Sequence, residues 1–158
     1  MPEPLADQVR KKIQEAALLY HRLVLVVGPE GSGKTHILQE ITRSESYPLI
    51  NVNLELSRRM LDLTIRQRSL DAPKFLAQIL AESKEEVVLL DNLEILFDAQ
   101  LKLDPLRLLQ GLSRNKTIVA SWNGRVHNGH LTYATPDHPE YRSFSTQDLL
   151  ILMAEKTS

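Results

Sequence analysis

The clearest chemistry in this sequence lies in Gly28-Pro29-Glu30-Gly31-Ser32-Gly33-Lys34-Thr35, which satisfies every fixed position of the phosphate-cradling pattern G-x-x-x-x-G-K-[ST]. Each residue type has a physical reason to be there. The glycines admit left-handed turns and let backbone N–H groups approach phosphate oxygens with no Cβ in the way. Lys34 offers a point charge to the β and γ phosphates. Thr35 offers a hydroxyl to Mg²⁺, a hard cation that keeps most of its octahedral waters. The helix expected after Gly33 adds unpaired N–H groups and the positive end of its dipole, with His36 in its first turn. Gly28 through His36 are therefore candidate nucleotide-binding residues, and Lys34 is also a candidate catalytic cation. Downstream, Asp91 ends the apolar run Val87-Val88-Leu89-Leu90. An acid at the carboxyl end of a buried strand is placed to hold Mg²⁺ through its water shell, so Thr35 and Asp91 are the candidate metal residues.

Such a loop works only between a strand and a helix, and both flanks read that way. Leu23-Val24-Leu25-Val26-Val27 is a continuous β-branched apolar run, as in a strand covered on both faces; Ile37, Leu38 and Ile41 recur at helical spacing over 34–43. Before them, Leu5, Val9, Ile13, Ala16, Ala17 and Tyr20 predict an amphipathic first helix. Tyr47-Pro48 breaks the chain ahead of a short strand, Leu49-Ile50-Asn51-Val52. Residues 53–83 read as two helices, the second starting at Asp71-Ala72-Pro73 as cap and first turn, and the first displaying Arg58, Arg59, Arg66 and Arg68. Asp104-Pro105 opens a helix over 104–113, and Thr117-Ile118-Val119-Ala120-Ser121 is another buried strand. Asn128-Gly129 between short β-prone runs is a type I′ hairpin signal, and Leu131 to Ala134 supplies the expected last strand. A closing helix is expected from Ser145 to Lys156. The expected architecture is α/β: one three-layer αβα domain over 1–158, with a mainly parallel sheet of about five strands and ligands at their carboxyl ends.

Composition narrows the function classes. Nineteen basic against twenty acidic residues give a net charge of −1, which removes any whole-molecule argument for nucleic acid or anionic membrane; basic clusters such as Arg10-Lys11-Lys12 leave local contacts open. No cysteine is present, so disulfides, thiolate catalysis and cysteine zinc sites are excluded. No apolar run is long enough for a membrane span and the first residues lack an apolar signal core, so a cytoplasmic protein without membrane partners is expected.

From Asp91 onward the chain resembles the AAA-type ATPases. The resemblance implies ATP and Mg²⁺ as cofactors and a glutamate directly after the magnesium aspartate to activate water. Here that residue is Asn92, which orients a water without accepting its proton, and Glu94 is the nearest acid. Lys34, Asn92 and Glu94 are thus the candidate catalytic residues, and hydrolysis is expected to be slow or dependent on a partner. The same resemblance assigns γ-phosphate sensing to Ser121 or Asn123. A helical lid has no counterpart in the sequence, so a neighbouring subunit would complete the site, with Arg114, Arg125 or Arg142 as the trans-acting arginine. The ending, Leu131-Thr132-Tyr133-Ala134 through His138-Pro139-Glu140-Tyr141-Arg142, resembles the short P-loop component of type III bacteriophage exclusion (BREX) systems. That likeness implies nucleotide-dependent homo-oligomers working with other antiphage defence proteins, with DNA as a further partner. A small-molecule kinase and a nucleotide-binding interaction module without turnover are the competing readings.

Overall fold

The apolar runs decide the architecture. In the computed structural model, which describes residues 3–154, β1 (Leu23–Gly28) and β3 (Val87–Asp91) are buried along their whole length. So is the first half of β4 (Thr117–His127). With β2 (Leu49–Asn51) and β7 (Leu150–Met153) they form a parallel sheet in the order β2-β3-β4-β1-β7. Alternation along the strands sends Val24, Val26, Leu89 and Val119 to one face. There α1 (Leu5–Ala16) and α2 (Lys34–Glu45) cover them with Val9, Ile13, Ile37, Leu38 and Ile41. Leu25, Val27, Leu90 and Ile118 point to the other face, under α3 (Val52–Arg59), α4 (Ile65–Ala81) and α5 (Pro105–Leu112). This is the expected three-layer αβα arrangement, and no lid helix follows β7 among the described residues.

The distal half of β4 leaves this sheet and turns at Asn128-Gly129, where φ is +49° and +75° as a type I′ turn requires. It pairs antiparallel with β5 (His130–Tyr133), which pairs with β6 (Arg142–Ser145). Gly124 permits this: a Cβ there would lie 1.7 Å from the Thr132 carbonyl oxygen.

Three expected elements differ. The first helix stops at Ala16; Leu18 and Tyr20 are exposed, and Tyr20 lies beneath the Arg114 guanidinium, 4.6 Å from its ring centre. Asp71-Ala72-Pro73 starts nothing, because Thr64 and Gln67 form a reciprocal capping box seven residues before Asp71 and α4 runs through Pro73. Arg58 and Arg59 therefore sit on α3 and Arg66 and Arg68 on α4. The expected closing helix is replaced by β6 and β7: Leu150, Ile151, Leu152 and Met153 pair with Val24 to Val27, filling the open edge of β1. Residues 155–158, where that helix was expected to end, lie outside the described residues. The sheet thus has seven strands, five of them parallel.

Candidate nucleotide site

β1 and β3 end on either side of β4, level with its Ser121 to Asn123, and there the sheet meets the loop. Gly31 and Gly33 adopt left-handed φ of +81° and +95°, and Gly33 caps α2. Lys34 is buried, and its ammonium donates to the Gly28 and Pro29 carbonyls at 2.8 Å each. Burial lowers its pKa from the ordinary lysine value, while Asp91, Glu94 and Glu30 pull it back up. A phosphate entering the cradle competes with those two carbonyls for a cation already fixed in position.

Asp91 is the hub of the candidate metal end. The Thr35 hydroxyl donates to its Oδ2 at 2.6 Å, and the Ser121 hydroxyl donates to its Oδ1 at 2.6 Å. Only 6% of Asp91 is exposed. Parallel registers Val26 with Ser121 and Leu90 with Ala120 set these residues level, so the relay follows from strand pairing. A hydroxyl and a carboxylate in contact form the hard-oxygen donor set that Mg²⁺ takes.

Glu94 begins a short 3₁₀ turn, Glu94–Phe97, and comes back over the site. Asn123 Nδ2 donates to its Oε1 at 2.9 Å, and Asn53 Nδ2 donates to its Oε2 at 3.0 Å. The Asn53 amide is itself fixed, since its Oδ1 accepts from the Ile95 N–H at 2.7 Å. Asn92 makes the bend possible: its φ of +55° is a left-handed conformation that asparagine tolerates, and its carbonyl accepts from the Asn53 N–H at 2.9 Å. The residue standing where a glutamate was expected thus shapes the turn that delivers Glu94.

A cavity of about 370 Å³ brings together Glu30, Gly31, Gly33, Lys34, Thr35, Asp91, Asn92, Glu94, Ser121 and Asn123. Gly28, Pro29 and Ser32 serve it from behind through Lys34, the Ser32 hydroxyl lying 3.4 Å from its ammonium. His36 is exposed and does not line it. Trp122 packs as expected: it is buried, lies edge-on to Phe97, and donates from its indole nitrogen to the Thr132 carbonyl.

The candidate trans-acting arginines separate. Arg114 sits at the amino-terminal end of the sheet on Tyr20, and Arg142 is tied to the Leu103 carbonyl. Arg125 is exposed on β4 beside the site. The basic stretches are largely matched within the chain: Arg10 pairs with Asp7 and Glu45, Lys12 with Glu15, Arg59 with Glu82, and Arg68 donates to the Leu61 and Leu63 carbonyls. Sequence reasoning missed Asn53, an asparagine just past a strand with no motif around it.

Comparisons with known proteins place these observations in context. Residues 24–117 match the family model described as ATPase family associated with various cellular activities (AAA). That span runs from β1 to the start of β4 and contains the loop, Asp91 and Glu94. Among solved structures the chain is similar to C. elegans PCH-2, with 19% identity and a TM-score of 0.41. The likeness covers 77% of this chain and 36% of that one, so this chain spans little more than a third of its length. No curated protein matches the chain.

Proposed function

The chain belongs to the AAA family of ATPases, and on that premise we propose that it binds Mg²⁺-ATP between the Gly28–Thr35 loop and Asp91 and hydrolyses it slowly or only with a partner. The observation that carries this reading is the relay from Thr35 through Asp91 to Ser121, set against Lys34 across one cavity. Backbone N–H groups of the loop and the Lys34 ammonium bind the phosphates; Thr35 and Asp91 hold Mg²⁺, which when bound neutralises charge developing on the transferred phosphoryl group. Ser121 keeps Asp91 oriented. In this reading Asn123 senses the γ-phosphate and fixes Glu94, the acid that positions the attacking water.

Both Glu94 oxygens already accept amide N–H groups, which restrains their movement and leaves neither free to take a water's proton without breaking a bond. That supports turnover that stays low until a partner or neighbouring copy rearranges the clamp. It equally supports the second reading, an interaction module that binds nucleotide without turning it over. A small-molecule kinase is the weaker reading, since no arginine-bearing lid is found among the described residues.

Within the cell we assign the protein to the cytoplasm, as a BrxF-like component of a bacteriophage exclusion system, where nucleotide state governs assembly with further copies and other defence proteins. Members of the AAA family often oligomerise, and of the three candidate arginines Arg125 is the one whose side chain is exposed and held by no contact among the described residues, which supports it as the group offered to a neighbour. No helix among the described residues is long and apolar enough to cross a membrane.

Light scattering after size exclusion, with ATP, ADP or no nucleotide and with or without duplex DNA, tests the assembly reading. The expected result is an ATP-dependent rise in mass that Lys34→Ala abolishes. Identical profiles in every condition would overturn it. Steady ATP release of phosphate, lost in Lys34→Ala, separates the ATPase from the module.

A further inference from the structure

Beyond the nucleotide cavity, a second hollow of about 430 Å³ opens between the phosphate loop and the end of β5. Its volume suits a small organic ligand. Three carboxylates face it, Glu30, Glu94 and Glu140, against one guanidinium, Arg125, with His138 at the rim. Apolar surface from Pro29, Gly124 and Ala134 makes up the rest of its wall.

Between the two hollows stands Tyr133. The residue is only 6% exposed, and its ring is stacked on Phe97 with ring centres 3.5 Å apart and planes within 3°. The phenol lines both cavities, yet its hydroxyl makes no hydrogen bond to the protein among the described residues, and it is not sealed away from them. A phenol held rigidly by an aromatic stack, with its hydroxyl accessible at a cavity wall and unpartnered by the protein, offers a ligand there a fixed hydrogen-bonding group in place of water. Burial raises its pKa, and Glu94, Glu140 and Glu30 raise it further, so the phenol stays neutral and the field around it is negative.

We propose that this hollow is a second binding site, for a short alkyl amine or guanidinium whose cation lies among Glu30, Glu94 and Glu140, whose stem follows the apolar wall, and whose N–H meets the Tyr133 hydroxyl. A phosphate-bearing ligand is disfavoured by the three carboxylates, and a wholly apolar one leaves both the acids and the phenol unanswered. The site adjoins the nucleotide cavity, sharing Glu30, Glu94, Asn123 and Tyr133 with it, and extends beyond it to Arg125, His138 and Glu140. Because Glu94 serves both, a cation there draws on the same carboxylate that the amides of Asn53 and Asn123 hold, and by reciprocity the two ligands alter each other's affinity.

Titration calorimetry with agmatine and cadaverine, on the full chain without nucleotide, tests this independently of any ATPase reading. One-to-one saturable binding is expected, absent for pentanol and weakening as salt rises. Tyr133→Phe and Glu140→Gln should each weaken it about three- to tenfold, the loss of one hydrogen bond or one charge partner. Glu140→Gln carries the test if Tyr133→Phe disturbs the aromatic stack. Light scattering in the same samples identifies the source of the cation: constant mass points to a free amine, and self-association that agmatine reverses points to a side chain of a second copy. No saturable binding with no amine-reversible association, or equal affinity in both variants and wild type, would overturn the proposal.

Discussion

Replacing Glu94 by glutamine tests the clamp and the catalytic role at once. In the native arrangement two amide N–H groups converge on one carboxylate, at 2.9 Å from Asn123 and 3.0 Å from Asn53. Glutamine keeps the shape and brings one acceptor and one donor. Asn53 cannot turn to suit the new donor, because its oxygen already accepts from the Ile95 N–H. Asn123 can turn and accept from it. The clamp therefore survives with two neutral hydrogen bonds in place of two charge-assisted ones, a difference of about 1 kcal/mol per bond. Glu94 is half-buried, so relief of its desolvation offsets only part of that loss. The net expectation is a destabilisation of about 1–2 kcal/mol, or about 3–6 °C in melting temperature for a chain of this length. Urea unfolding of wild type, Glu94→Gln, Asn123→Ala and the double variant measures it, with about half the cost of Glu94→Gln vanishing when Asn123 is already alanine. A cost below about 0.3 kcal/mol would refute the clamp as a net stabilising unit. In the same proteins, phosphate release should fall about 10²–10⁴-fold if Glu94 accepts the proton of the attacking water. Unchanged turnover would remove it from that role.

Ser121→Ala leaves one oxygen of the buried Asp91 carboxylate unpaired and should cost about 1.5–3 kcal/mol in chemical denaturation. Thr35→Ala keeps the fold and should weaken Mg²⁺-dependent ATP binding about 10- to 100-fold by calorimetry, with less effect on metal-free nucleotide. Gly124→Ala drives a methyl group into the Thr132 carbonyl oxygen and should cost more than about 3 kcal/mol, with loss of the hairpin's cross-strand contacts in NMR spectra. Tyr133 binds its proton more tightly folded than unfolded, so between pH 10 and its raised folded value the native state holds the extra proton and stability falls as pH rises. Denaturation midpoints of Tyr133→Phe should decline less steeply than those of wild type above pH 10.

What could be read in advance was whatever local chemistry decides. The runs at 23–28, 87–91 and 117–121 are too apolar for anything but covered strands, and Asp104-Pro105 and Asn128-Gly129 each match one backbone geometry. Thr35 and Asp91 were legible because the loop motif and strand end specify them without knowledge of their contact. The closing segment misled because Leu149, Leu150, Leu152 and Met153 fit a helical face as well as a strand. Its choice is made by the unfilled edge of β1, a feature of the assembled sheet that no local window contains. Pro73 suggested a helix start, yet the capping box at Thr64 outweighs it and the helix accepts the missing N–H. Asn53 carried no signal, since its importance lies in what it touches across 41 residues of chain.

The position of β7 also sets a timetable for synthesis. β1 lies between β4 and β7, so the strand that carries the phosphate loop receives its second neighbour from residues 150–153, among the last described. A ribosome emits the loop well before Leu150–Met153, with most of this sequence made in between. Until then β1 has one side of its backbone unpaired, and the loop hangs from an unfinished support. Nascent chains stalled before Leu150 emerges would therefore carry the complete nucleotide motif without the rigid strand that aims it.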